Sequence, residues 1–328
     1  MPATRAKTVR TSPIPPCPTL AQTVTRTTPR ATLLVPPKIH TAAVIPHYGV
    51  FFRMRLIALG SSFAAGPGIA PQVDAAAGRS GNNYPHLLAR RLGLDSSHST
   101  QLLDLTVSGA TMLNLISDDQ DTGDKVFPPQ ISLLPPADDD DQTIITVTGG
   151  GNDMFYIGSM FARTLSTTLW GRIYSYLFMT QDQKQGLENP TIASPDQVVE
   201  RFNVLLDDLH KRFPRATVYL VEYFAMMGPE TVGGKHVAWS QDQVETYKQT
   251  ANQLKRIYAQ AAEGRENVHI VPLAQVSYEH AIGSKHPWVS DGSILNFYRR
   301  GAFHPNLAGM KAAADLIYDT HQRLHTKA

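Results

Sequence analysis

Ile57-Ala58-Leu59-Gly60-Ser61-Ser62-Phe63-Ala64-Ala65-Gly66 is the stretch around which the chain is organised. A short apolar run ends at a glycine, two hydroxyls follow, and small residues lead into Gly66-Pro67-Gly68. The pattern predicts a strand that stops at a tight turn and presents a serine at its carboxyl end. In open α/β sheets that is where ligands bind. Taken alone, Gly-Ser-Ser marks only a turn. Its weight comes from what stands further along the chain.

Moving outward, the same grammar repeats. Residues 102–107, 143–148, 217–223 and 268–273 read as four further strands. The run Thr143-Ile144-Ile145-Thr146-Val147-Thr148 is rich in β-branched residues, as a buried parallel strand should be. Apolar stripes at helical spacing lie between them: 84–92, a long segment opened by Ser194-Pro195, 241–262 and 307–324. Strands that alternate with helices predict an α/β domain, a three-layer α/β/α sandwich around a mainly parallel sheet. Residues 155–190 interrupt the alternation with crowded aromatic and aliphatic side chains. They read as an apolar insertion, either core packing or the wall or lid of a cleft.

The 328 residues are 42% hydrophobic and 18% charged, enough for a sizeable core. Charge is unevenly spread. Residues 1–53 hold seven Lys/Arg and no Asp or Glu, leaving 23 basic against 28 acidic residues in 54–328. The first segment is also rich in Pro and Thr, which favours a disordered extension over packed structure. An organellar transit segment and a start at Met54 are the other two readings. Because the excess basic charge belongs to this extension, nucleic acid is not the expected partner. No apolar run reaches the length of a membrane span. Cys17 is the single cysteine, so residues 54–328 can make neither an internal disulfide nor a thiolate metal site. A cytoplasmic location is favoured on that ground and because no secretory h-region stands near Met1, with secretion without disulfides the other reading. Asp118, Asp119, Asp121 and Asp124 are spaced loosely like a calcium loop, but no terminal Glu follows, and a solvated loop is expected. Asp138–Asp141 form a second acidic run, read as an exposed lead-in to the third strand. No cofactor and no metal are expected.

Three strand ends carry small or polar residues: Ser62, Gly109 and Asn152. His304 lies just before the last helix. A parallel sheet places its strand ends along one edge, so these four can meet. Acyl transfer requires such a set: a hydroxyl that attacks, an imidazole that takes its proton, and donors for the developing oxyanion. The backbone N–H groups of Ser62 and Gly109 and the Asn152 amide are the candidate donors, each worth roughly 3 kcal/mol in comparable sites.

With those residues in place the chain resembles the SGNH hydrolases, also called the GDSL esterase/lipase family. The blocks are Gly60-Ser61-Ser62-Phe63, Gly109, Gly150-Gly151-Asn152-Asp153 and Gly301-Ala302-Phe303-His304-Pro305, in the family's order and spacing. Gly66-Pro67-Gly68 and the Tyr84-Pro85 helix look closest to the actinomycete-type lipase/esterase branch, without the cysteines often found there. The resemblance implies a flavodoxin-like SGNH fold and a serine hydrolase that cleaves carboxylic esters through an acyl-enzyme. Its substrate would be a small ester or lipid. Ser62 would be the nucleophile, His304 the base, and Ser62, Gly109 and Asn152 the oxyanion hole.

Two family aspartates are missing. Ser61 replaces the Asp of Gly-Asp-Ser, and Gly301 stands where the triad acid should be. In the serine-protease template, turning that acid into an amide costs about 10⁴ in rate. Two residues compete to orient His304: a backbone carbonyl at Gly301 or a neighbour, or the carboxylate of Asp291. The alternative function is a catalytically weak or dead protein of this fold that binds an ester or glycan.

Overall fold

Five short strands, nearly all apolar or β-branched, form one parallel sheet in the computed structural model, which describes residues 54–94, 101–137 and 142–325. The extension 1–53 and the acidic run Asp138–Asp141 lie outside the described residues. In chain order the strands are β1 (Arg55–Gly60), β2 (Gln72–Asp74), β3 (Arg79–Ser80), β4 (Leu102–Asp104), β5 (Gln120–Asp121), β6 (Val126–Phe127), β7 (Thr143–Thr148), β8 (Thr217–Val221) and β9 (Val268–Val271). The central sheet runs β4-β1-β7-β8-β9 with every pair parallel. β2 with β3, and β5 with β6, form small antiparallel hairpins.

Counting only the central strands, the order is 2-1-3-4-5, that of doubly wound flavodoxin-like sheets. The chain leaves β1 in one direction and returns on its other side at β7, so the crevice opens beyond the carboxyl ends of these two strands. All six residues of β7 are buried, which is why its sequence shows no polar alternation.

Helices fill both faces. They are α1 (Ser62–Ala65), α2 (Tyr84–Arg91), α3 (Met112–Ile116), α4 (Tyr156–Thr167), α5 (Leu169–Phe178), α6 (Gln181–Glu188), α7 (Pro195–Arg212), α8 (Gln241–Ala262), α9 (Leu273–Val276), α10 (Ile294–Tyr298) and α11 (Leu307–His325). α2 packs on α11, and α7 packs on α8 and α3. Their starts are chemically specified. Ser194 with Gln197 and Ser240 with Gln243 form reciprocal capping boxes at α7 and α8, and the Asn83 side chain accepts from the His86 N–H at α2. α7 buries Val198, Phe202, Leu205, Leu206 and Leu209, the stripe expected from its spacing.

The differences from the sequence reading are local. Regular strand β4 stops at Asp104, although Leu105 and Val107 still donate to the Ala58 and Gly60 carbonyls at 2.9 and 3.0 Å. β9 stops at Val271, because Pro272 has no N–H to continue the ladder and a short helix begins at Leu273. The four aspartates near 120 surround a hairpin turn in which Asp121 accepts from the Gly123 N–H at 2.8 Å. Residues 155–190 form three helices, α4 to α6.

One close approach fixes the sheet edge that matters. Gly60 has φ of 148°, and a Cβ there would lie 2.4 Å from the Thr148 carbonyl oxygen of β7. The side chain of buried Gln130 clasps Gly60, accepting from its N–H at 2.8 Å and donating to its carbonyl at 3.0 Å. Gly60→Ala therefore forces β1 away from β7 as well as straining its own backbone. A loss of about 3 kcal/mol or more is expected. Chemical denaturation checks it, and an unchanged midpoint would refute this account of the strand contact.

Candidate active site

The turn after β1 is held by its neighbours rather than by its own cap. Ser61 occupies the N-cap position of α1, yet its side chain caps nothing. Its N–H donates to the Thr148 carbonyl at 2.9 Å, and its fully buried hydroxyl pairs with the Tyr223 hydroxyl at 2.8 Å. Ser62 is the first residue of α1 and is 3% exposed. The two serines thus differ in environment. Ser61 is committed to a buried bond, whereas no hydrogen bond to the Ser62 hydroxyl is present among the described residues.

Tyr223 follows β8, and its importance was not visible in the sequence. Its ring also packs against Gly151, so one side chain links the turn after β1 to the turn after β7. The ring lies so close that a Cβ on Gly151 would meet it at 2.5 Å, and the Phe63 ring lies tilted against it with centroids 4.3 Å apart. Burial pushes the phenol far above its ordinary pKa, so it stays a neutral hydrogen-bonding group. A signal did exist: a tyrosine directly beyond a buried strand needs a partner for its hydroxyl.

The turn after β7 carries Asn152 and Asp153. The Asn152 amide donates one N–H to the Ala110 carbonyl at 2.9 Å, which brings it beside Gly109. Gly109 has φ of 86°, a left-handed conformation natural to glycine. Among the described residues neither the Ser62 N–H nor the Gly109 N–H donates a hydrogen bond. Asp153 is buried and braces the turn. One carboxylate oxygen accepts from the Met112 N–H at 2.9 Å, and the other pairs with Arg201 at 2.6 Å.

His304 is buried against Phe63 and Phe161, with ring centroids 5.7 and 6.0 Å away. Its Nδ1 lies 2.6 Å from the Ala302 carbonyl. A carbonyl can only accept, so Nδ1 carries the proton and Nε2 keeps its lone pair. The carbonyl at this nitrogen is Ala302's and not Gly301's, whose oxygen accepts the His304 backbone N–H at 3.3 Å. Asp291 does not reach the ring. It is exposed, and its carboxylate accepts from the Ser293 N–H at 3.1 Å and the Asn296 amide at 2.6 Å. It lines a separate depression of about 300 Å³ with His236 and Trp170. Burial lowers the His304 pKa from 6.5 to about 4, with the Ala302 carbonyl opposing the shift.

The turns that hold these groups depart from ordinary backbone geometry. Phe155, Arg300 and Phe303 have positive φ of 53°, 59° and 53° without being glycine. Two of them flank Gly301 and Ala302, and the third follows Asp153. Such outliers cluster where a site over-determines its own conformation. No group of three or more potential metal ligands occurs among the described residues. A cavity of about 680 Å³ lies within α4 to α6, lined by residues such as Phe155, Arg163 and Met179, and by none of Ser62, Gly109, Asn152 or His304.

The doubly wound parallel sheet carries Ser62 in the turn after β1 and Asn152 in the turn after β7, with the His304 ring against Phe63, and its order is that of an α/β hydrolase of the flavodoxin-like kind. The chain belongs to the GDSL-like lipase/acylhydrolase family, whose model matches residues 58–312. Two solved structures share its fold. An extracellular lipase from Streptomyces rimosus is 19% identical with a TM-score of 0.57, over 81% of this chain and 99% of that one. Phospholipase A1 from Streptomyces albidoflavus NA297 is 15% identical with a TM-score of 0.57, over the same shares of the two chains. No curated protein matches the sequence.

Tyr223→Phe removes the hydroxyl that pairs with Ser61 and leaves Ser61 Oγ buried without it. The expected cost is about 1–3 kcal/mol of stability, with a fall in ester hydrolysis as the two turns loosen. Thermal or chemical unfolding together with an esterase assay checks both. Unchanged stability and activity would mean that the turns are held elsewhere.

Proposed function

We propose that the protein hydrolyses carboxylic esters through an acyl-enzyme on Ser62, with His304 as general base and general acid. The observation that carries this reading is the hydrogen bond between His304 Nδ1 and the Ala302 carbonyl, since it leaves Nε2 as the basic nitrogen. Ser62 Oγ attacks the ester carbonyl while its proton passes to Nε2. The oxyanion accepts from the N–H groups of Ser62 and Gly109 and from the second N–H of the Asn152 amide. The tetrahedral adduct collapses as Nε2 returns the proton to the leaving alkoxide. Water, deprotonated by the same nitrogen, then cleaves the acyl-enzyme and releases the carboxylic acid. Ser62 and His304 are not hydrogen-bonded to each other among the described residues. Catalytic hydrogen bonds of this kind often tighten only in the substrate complex.

The reading needs no triad carboxylate. The Ala302 carbonyl fixes the tautomer, which is the larger part of what the acid does in the serine-protease template. It gives less stabilisation to the imidazolium formed during attack.

Labelling with a fluorophosphonate probe tests the assignment. Wild type and Ser61→Ala are expected to label at Ser62, Ser62→Ala not at all, and Asp291→Ala is expected to lose less than about tenfold in p-nitrophenyl ester hydrolysis. Labelling that persists in Ser62→Ala, or folded wild type that never labels, would overturn it. The second result would favour a binding protein of this fold.

A further inference from the structure

The cavity of about 680 Å³ within α4 to α6 has a cationic lining that the proposed chemistry does not use. Its volume falls within the roughly 300–1,000 Å³ of small-molecule sites. The helices around it are packed rather than loose where α4 meets α5. Gly171 is buried there, and a Cβ on it would lie 2.7 Å from the Leu165 Cα. Thr168 caps α5 at the same junction, its side chain accepting from the Gly171 N–H at 3.1 Å.

One buried group in this lining is left over. Arg163 of α4 is half-buried, its Nε is fully buried, and that N–H has no hydrogen-bond partner among the described residues. No carboxylate pairs with its guanidinium among them either. Buried donors are nearly always satisfied, and one that is not calls for an explanation such as a bound ion. A second guanidinium stands beside it. Arg172 of α5 donates its Nε to the Ser166 carbonyl at 3.0 Å, and the Ser166 hydroxyl donates to the Arg163 carbonyl at 3.0 Å, so the two arginines meet at Ser166. Lys184 of α6 is the third cation of the lining, and Glu188 is its single acid. Glu188 is exposed and pairs with none of the three among the described residues. The hydroxyls of Ser159, Ser166 and Thr167 give their hydrogens to helix carbonyls, which leaves the cations as the principal donors.

Three cations against one acid, with a buried guanidinium N–H unpaired, select an anion. The rest of the wall is apolar, with Phe155, Leu165, Met179 and Leu187. α5 also turns Leu169, Tyr176 and Phe178 to solvent, 77%, 81% and 68% exposed, and Tyr176 belongs to the cavity wall as well. A cationic group beside an apolar wall fits a ligand that has both parts. We propose that the cavity binds an amphiphilic oxyanion, a carboxylate or phosphate head on an alkyl or aryl body, with the head on Arg163 and Arg172. The site stands apart from the function proposed above, because its lining includes neither Ser62 nor His304.

Isothermal titration calorimetry of the full-length protein with octanoate, octyl phosphate, acetate, inorganic phosphate and 1-octanol tests this. At least one of octanoate and octyl phosphate is expected to bind about tenfold or more tightly than acetate, inorganic phosphate and 1-octanol, and the tighter of the two shows which head the site takes. Arg163→Met is expected to weaken that ligand about tenfold or more. Because the replaced N–H has no partner in the free protein, the same variant is expected to melt no lower than wild type. Acetate, inorganic phosphate or 1-octanol binding as tightly as the amphiphiles would overturn the proposal, and so would no measurable binding of either amphiphile. Undiminished binding by Arg163→Met would overturn it too, since the ligand would then sit elsewhere, at Ser62 for example. A marked drop in melting temperature in Arg163→Met would give the guanidinium a structural role instead and overturn it as well. None of these readings is an activity, so they stand whether or not Ser62 proves to be the nucleophile.

Discussion

The approach of β1 to β7 at Gly60 is the constraint on which the rest of the site depends. A Cβ at Gly60 would lie 2.4 Å from the Thr148 carbonyl, so the strands come together only because none is there. That contact lets the Ser61 N–H reach Thr148 and aligns the turn after β1 with the turn after β7. Tyr223 then joins the two turns, bonding Ser61 and packing its ring on Gly151, and Asp153 ties the second to α3 and α7. The residues proposed as nucleophile and oxyanion donors thereby sit in turns anchored to the central strands. Preorganised dipoles act at full strength under that condition, since little reorganisation accompanies the developing charge.

The proposed base is positioned by different means. No carboxylate meets His304. Its tautomer is set by the Ala302 carbonyl, and its ring is walled by Phe63 and Phe161. Steric exclusion does not explain the lost acid, because a Cβ on Gly301 would make only ordinary contacts, the nearest 3.6 Å from the Pro67 carbonyl. The result is a histidine kept neutral by burial. Its lowered pKa also bears on stability. Between about pH 4 and 6.5 the unfolded chain binds the proton more readily than the folded one. The contribution of His304 to stability is therefore complete above 6.5 and is lost as the solution is acidified through that window.

Much of this was legible in the sequence. The strand ends at Ser62, Gly109 and Asn152 could be read because parallel strands announce themselves as apolar runs that stop at small residues. The α7 and α8 caps could be read from Ser-x-x-Gln. Tyr223 could not, since its role depends on which two turns the sheet order makes adjacent. Nor could the choice between Gly301, Ala302 and Asp291 be made. That depends on the backbone path around His304, where Arg300 and Phe303 take conformations that residue type does not favour. The exposed face of α5 was equally hidden, because an aromatic stripe has the same sequence whether it faces core or solvent.

The central claim is that His304 works as a base on a carbonyl instead of a carboxylate, and the pH dependence of kcat/KM on a soluble ester tests it most directly. A base must be neutral, so activity is full above the histidine's pKa and falls below it. A carboxylate partner would raise that pKa by favouring the imidazolium, whereas burial beside a carbonyl lowers it. The account predicts an acidic limb with its midpoint below the ordinary 6.5 and toward about 4, measured where circular dichroism shows the protein still folded. A midpoint at or above 6.5 in folded protein would contradict it.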